Sequence, residues 1–158
     1  MTTIALRNGF RAFWQSSSVD KIVFVVCWLT LAAAAMLLHV LPFKRLAPLL
    51  GRPAPASEPV PPAGRAQTAR AHIIKRAIRR ARVVAPFRAD CLPQVLAAAL
   101  LCRAMRVPFA AYLGVELDHA RDIHAHAWLI VGTTAVTGGQ TVDRFTPVSR
   151  FLFRVRSA

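Results

Sequence analysis

The sequence predicts an α+β domain: a central apolar helix set against a small antiparallel sheet, with a hydrophobic helix ahead of both. Three observations lead there. After Cys91, the residues Leu92, Val95, Leu96, Ala99, Leu100 and Met105 recur at helical spacing and can bury that helix as the centre of a core. Residues 109–117, 124–131 and 134–137 form short β-type runs, divided by a polar loop and by the two-residue turn Gly132-Thr133. Ile22 to Leu41 runs without a single Asp, Glu, Lys or Arg.

Composition bounds the class. A chain of 158 residues suggests one domain with added segments, and 55% hydrophobic residues are enough for a core. The N-terminal run accounts for part of that figure. Lys and Arg number 21 against 7 Asp and Glu, a formal charge of +14. Such a surface favours anionic partners, whether acidic peptides, lipid headgroups or nucleic acid. The three cysteines, Cys27, Cys91 and Cys102, form no CxxC pair, which argues against a disulfide framework and a structural zinc site. On one helix Cys91 and Cys102 would lie about 16 Å apart, too far for a disulfide. Both are expected as free thiols, as in a reducing cytosol.

Taken in order, residues 1–50 read as an N-terminal helical, hydrophobic segment. Phe10, Phe13 and Trp14 stand at helical spacing, and Ser16-Ser17-Ser18 offers N-caps. Ile22 to Leu41 just reaches the length of a transmembrane helix. It also fits a helix packed on the domain, which Thr30 and His39 favour. Basic residues flank it on both sides, so charge sets no orientation. Pro42 ends it. Residues 51–64 are rich in proline and read as a linker. Residues 65–158 read as the main folded domain.

That domain opens with a basic helix from Arg65 to Ala85. Its apolar stripe is Ile74, Ala77, Ile78, Ala81 and Ala85, and Arg70, Lys75, Arg76, Arg79, Arg80 and Arg82 cover most of the rest. A solvated face is the plain interpretation of those charges. Docking of a peptide or of lipid is the sharper one. Nucleic acid is not expected, because no aromatic residues interleave with the charges. Asp90 is placed to N-cap the next helix, and Pro93 is tolerated in its first turn. A last strand is expected within Phe145 to Val155.

A cysteine at a helix start and a histidine on a later strand form a candidate nucleophile and base. The thiolate is the reactive form. A helix N-terminus places about half a positive charge beside the sulfur, and an imidazole can take its proton and return it to a leaving amine. Cys91 has that position; Cys27 and Cys102 lie inside apolar helices and read as core. His124 and His126 share a sheet face, and Trp128 shares it too. A zinc site from His119, His124 and His126 lacks a well-placed further ligand, so no metal is expected.

Particular words sharpen this. Asp90-Cys91-Leu92-Pro93-Gln94, Leu100-Leu101-Cys102-Arg103, Val107-Pro108, Leu113-Gly114-Val115, His126-Ala127-Trp128, Val136-Thr137-Gly138-Gly139 and Phe145-Thr146-Pro147-Val148 follow one another across about Phe87 to Phe153. In order and spacing they resemble the lasso-peptide biosynthesis B2 family, leader peptidases with a transglutaminase-like core. His39-Val40-Leu41-Pro42-Phe43-Lys44-Arg45-Leu46 is a fainter match. The resemblance implies a transglutaminase/papain-like fold with Cys91 as nucleophile and His126, in its His-Ala-Trp motif, as base. Members carry an Asp about a dozen residues after that His, where this chain has Gly138. Asp143 is the first candidate to orient the imidazole, reaching back over a bulge at Gly138-Gly139, and Gln140 the second. The oxyanion donors would be the Cys91 N–H and one other that the sequence does not name.

The implied activity is removal of the leader from a ribosomal lasso-peptide precursor, in bacterial antibiotic biosynthesis. The implied partners are that precursor, a small RRE-type leader-binding protein and an asparagine-synthetase-like lasso cyclase. A membrane surface is a further expected contact, and the implied location is the cytoplasm. ATP dependence is implied only by the resemblance, and no phosphate-binding loop is present to hold a nucleotide. The alternatives are another thiol acyl-transfer enzyme, an amidase or transglutaminase, and a catalytically decayed basic scaffold at a membrane.

Overall fold

The computed structural model describes residues 18–117, 122–140 and 142–155. Phe10, Phe13, Trp14, Ser16, Ser17 and His119 lie outside the described residues. The elements follow the expected order. Helix α1 (Ser18–Val40) comes first, then a single turn α2 (Phe43–Leu46), a 3-10 turn (Ala47–Leu50) and a two-residue strand β1 (Arg52–Pro53). Helices α3 (Arg65–Val83) and α4 (Cys91–Ala104) follow. The sheet strands are β2 (Phe109–Leu117), β3 (Ile123–Val131), β4 (Thr134–Thr137) and β5 (Thr146–Phe153), with a 3-10 turn (Val142–Arg144) before the last. The five strands lie in the order β1-β5-β2-β3-β4, and each neighbouring pair is antiparallel.

Helices α3 and α4 cover one face of this sheet, and α1 packs mainly on those two helices. Along β3, alternation sends Ala127, Leu129 and Val131 into the helical layer, and Phe109 and Ala111 join them from β2. Helix α4 is the middle of that layer. Val95, Leu96, Ala97, Ala98, Ala99 and Cys102 are all buried, on every side of the helix. It is therefore a core helix rather than an amphipathic one. Helix α1 presents Cys27, Leu31, Ala34 and Ala35 to α3 and α4. Trp28 meets Phe87 edge-on at 5.8 Å between ring centroids. Thr30 costs little among apolar neighbours, because its hydroxyl donates to the Val26 carbonyl at 2.7 Å.

The other side of α1 is apolar and exposed, through Ile22, Val25, Val26, Leu29, Met36 and Val40. By length and composition Lys21–Val40 could cross a membrane, and only 22% of its most apolar window is buried. The helix thus has one face in the core and one apolar face outside it.

The proline-rich segment does not hang free. Arg52 and Pro53 pair with Leu152 and Phe151 of β5. On the sheet face away from the helices, the Arg150 guanidinium donates to the carbonyls of Pro55 (2.9 Å), Ala56 (3.1 Å) and Glu58. Pro61 is fully buried. Composition suggested a spacer; three carbonyl acceptors around one buried guanidinium hold the segment along the sheet instead.

Helix α3 is fixed at its start. The Gln67 amide oxygen accepts from the Gly64 N–H at 2.9 Å, and Gln67 and Arg70 donate to the carbonyls of Arg106 and Met105 at the far end of α4. Its buried stripe is Ala71, Ile74, Ala77, Ile78 and Ala81. Four of these belong to the expected stripe and Ala71 extends it by a turn; Ala85 falls beyond the end of the helix.

Candidate active site

A cleft of about 740 Å³ opens where the N-terminus of α4, one side of α3 and the end of β4 meet. Cys91 and His126 both line it. Cys91 is the first residue of α4 and is half-buried, whereas Cys27 and Cys102 are buried. Burial pushes the Cys102 thiol up to about 12 and the Cys27 thiol up to about 11. Those two lack the means to ionise near neutrality.

Asp90 stands at the N-cap in extended backbone, as expected, but its side chain makes no capping hydrogen bond. The first turn is closed instead by Gln94, whose side-chain amide donates to the Ala89 carbonyl at 2.7 Å. Gln94 also lines the cleft, one turn beyond the thiol. The sequence carried that signal, a Gln three residues after Cys91, but nothing in it assigned Gln94 to the site.

His126 is half-buried near the outer end of β3. It belongs to the sheet face that carries Trp128 and Tyr112, and it enters the cleft beyond the last β3–β4 pair, Leu129 with Thr137. Trp128 and Tyr112 stack at 5.2 Å between centroids and 5° between planes. The imidazole lies 6.0 Å from the Trp128 ring and 4.8 Å from that of Phe145. Phe145 was not foreseen as a neighbour of the histidine. Two aromatic rings thus flank the imidazole and limit its tilt. Gly114, directly across from His126 on β2, leaves room for the Trp128 ring, since a Cβ there would stand 2.8 Å from it. His124, on the same face, is exposed.

One ring nitrogen of His126, Nε2, lies 2.9 Å from the Gly138 carbonyl oxygen. The two candidate orienting residues are placed otherwise. Asp143 sits exposed in the Val142–Arg144 turn and makes no hydrogen bond or ion pair among the described residues. Gln140 is exposed and lines the cleft. Both Cys91 and His126 line the cleft, and no hydrogen bond joins them. A bulge between Leu129 and Ile130 changes the β3–β4 register by one residue. That bulge and the positive φ of Gly138 (68°) turn its carbonyl towards the imidazole. Gly138 stands where the resembled family has its Asp.

Three basic side chains also line the cleft. Lys75, Arg79 and Arg82 of α3 form one wall. Thr137 lies in the lining too, and its buried hydroxyl has no hydrogen-bond partner in the fold. Among the described residues no group of three or more His, Cys, Asp or Glu could hold a metal ion.

Comparison with known families gives one result. The family model described as transglutaminase-like superfamily matches residues 35–150. Searches of curated proteins and of solved structures found no match. The matched span runs from the second half of α1 to β5 and contains Cys91, His126 and Gly138. Members of that superfamily are typically cysteine-dependent enzymes. By the extent of that match and by its helical layer on a small antiparallel sheet, the chain belongs to the transglutaminase-like superfamily.

Proposed function

We propose that this protein is a cysteine peptidase that removes the leader from a lasso-peptide precursor. The observation that carries the chemistry is the meeting of Cys91, at a helix N-terminus, and His126, held by Gly138, in one cleft. The thiol passes its proton to His126 Nδ1, and the sulfur attacks the peptide carbonyl carbon. The tetrahedral intermediate collapses with loss of the C–N bond, and His126 returns the proton to the leaving amine. Water, deprotonated by the same imidazole, attacks the thioester. The leader acid leaves, and Cys91 recovers its proton. A short closing movement must bring ring and thiol together, as is common when catalytic contacts tighten only around substrate.

The lasso-peptide assignment rests on the sequence words quoted above, from Asp90-Cys91-Leu92-Pro93-Gln94 to Phe145-Thr146-Pro147-Val148. In it, residues 65–158 carry the catalytic groups, and residues 1–50 and 51–64 brace or place them. The partners would be the precursor, a small leader-binding protein and a lasso cyclase. The exposed apolar side of α1 supports attachment to a membrane surface from the cytoplasmic side.

The test is incubation of the purified full chain with precursor peptide and leader-binding protein, followed by mass spectrometry. Leader with a free C-terminal carboxylate supports the peptidase. Leader joined to an added amine identifies an acyltransferase instead. The absence of a thiol–imidazole hydrogen bond and of an Asp at position 138 favours a second function, a scaffold with a decayed site. Cys91→Ala separates the two: a scaffold keeps its contribution to lasso-peptide production, and an enzyme loses it.

A further inference from the structure

The fold leaves three cations in the cleft unused. Arg70, Arg103, Arg144, Arg150 and Arg154 each donate to a carbonyl or a carboxylate. Lys75, Arg79 and Arg82 make no such bond among the described residues. They stand four and three residues apart on α3, so they share one face, and that face is the cleft wall opposite the β4 end. Asp90 is the one carboxylate in the lining. Arg76 and Arg80 lie on the same helix but outside the cleft.

We infer that the Lys75–Arg79–Arg82 wall binds an acidic side chain of the peptide substrate, an Asp or Glu close to the bond that Cys91 attacks. This rests on the peptidase proposal for its substrate and on the lining for its chemistry. The wall spans about 10 Å of helix at 1.5 Å per residue, the length of some three residues of extended peptide. A guanidinium takes a carboxylate through two parallel N–H bonds, which fixes orientation as well as charge. A peptide suits the site better than its rivals. The lining has no Phe, Tyr or Trp on which a base could stack. A concave cleft also does not match a flat lipid surface.

The test uses the full chain carrying Cys91→Ala, so that binding is read without turnover. A short fluorescent peptide with central Asp residues is titrated against its Asn counterpart by anisotropy. The Asp peptide is expected to bind about 5- to 10-fold more tightly, the range of a charge-assisted contact in a partly open site. Arg79→Gln with Arg82→Gln should erase that preference. Arg76→Gln with Arg80→Gln, which removes the same charge from the same helix, should leave it. Equal loss from both pairs would mean diffuse attraction and would overturn the inference. So would equal affinity for the two peptides, or an effect of Arg79→Gln with Arg82→Gln seen only with anionic vesicles or single-stranded oligonucleotide. The two proposals can fail separately. A charge-selective peptide that the Cys91-bearing chain never cleaves would leave the wall standing without the peptidase, and cleavage indifferent to Asp or Asn would do the reverse.

Discussion

His126 Nε2 lies 2.9 Å from the carbonyl oxygen of Gly138, twelve residues further along the chain. A carbonyl only accepts, so Nε2 must carry the hydrogen. The lone pair of the neutral ring is then on Nδ1, the nitrogen that the proposed mechanism uses as base. In the proposed mechanism a main-chain oxygen would take the place of an orienting carboxylate. It orients the ring as a carboxylate would, but it brings no full charge to stabilise the imidazolium.

The tautomer is open to direct measurement. Nitrogen-15 NMR of the free protein at mildly alkaline pH should show His126 protonated at Nε2. The opposite tautomer would break the proposed route for the proton.

Gly138 is expected to resist replacement. Its φ of 68° strains any other residue, and an added Cβ would stand 2.5 Å from the Ala127 oxygen and 3.0 Å from His126 Nε2. Gly138→Ala should therefore cost about 1–3 kcal/mol of stability. It should also displace the imidazole and lower kcat/KM by about 100-fold, the scale of a 1 Å misplacement. Gly138→Asp should do no better, because its Cβ meets the same atoms. Recovery of activity by Gly138→Asp would show that the carbonyl is not the orienting group.

The thiols should separate by reactivity. Cys91 is half-exposed at a helix start, and burial raises the Cys102 and Cys27 thiols to about 12 and about 11. At neutral pH iodoacetamide is expected to label Cys91 first, as peptide mapping would show. Cys91→Ala should abolish both the fast labelling and peptide cleavage, the latter by at least about three orders of magnitude. Labelling of Cys91 no faster than Cys102 would favour the decayed scaffold.

Arg150 should matter for stability although it lies far from the thiol in sequence. Its side chain serves three carbonyls of the proline-rich segment and lies over Tyr112 at 5.3 Å. Arg150→Met would leave those acceptors unpaired and is expected to cost roughly 2–4 kcal/mol. The urea midpoint would report the loss, and protease cutting within residues 51–64 should rise with it.

Glu58 gives the same segment a pH dependence. Hydrogen bonds from Arg52 and then Arg154 hold its carboxyl below the usual range. A folded-state value below the unfolded one means that the contribution is present at neutral pH. It is lost as pH falls below about 4.3, the unfolded value, and through the lower folded one. The Arg partners are exposed at the surface, so the effect should be small. Glu58→Gln should lower the urea midpoint slightly at neutral pH and leave it unchanged in acid. A difference that persists in acid would point to packing instead.

Much of the fold was legible because it rests on side-chain pattern. The spacing of Val95, Leu96 and Ala99 marked the core helix, and Gly132-Thr133 marked the β3–β4 turn. What was hidden rests on the main chain. No letter of the sequence announces that the Gly138 carbonyl will face His126. Counting from the Gly132-Thr133 turn could not place it, because the bulge at Leu129–Ile130 alters the register midway. The proline-rich segment was read as a linker from composition; its partner, Arg150, is over ninety residues away. The charges on α3 were visible, but which of them face the cleft depends on how α3 lies against β4.

Ala97, Ala98 and Ala99 are each fully buried at consecutive positions of α4. Successive residues turn by about 100°, so these three methyl groups touch neighbours around most of the rod. Nothing bulkier fits between α4 and its surroundings without moving the axis. The reach of the sulfur is therefore set from below, by the smallest side chains in the molecule. Ala98→Leu, a change remote from the cleft, is expected to shift the start of α4 and the Cys91 thiol with it.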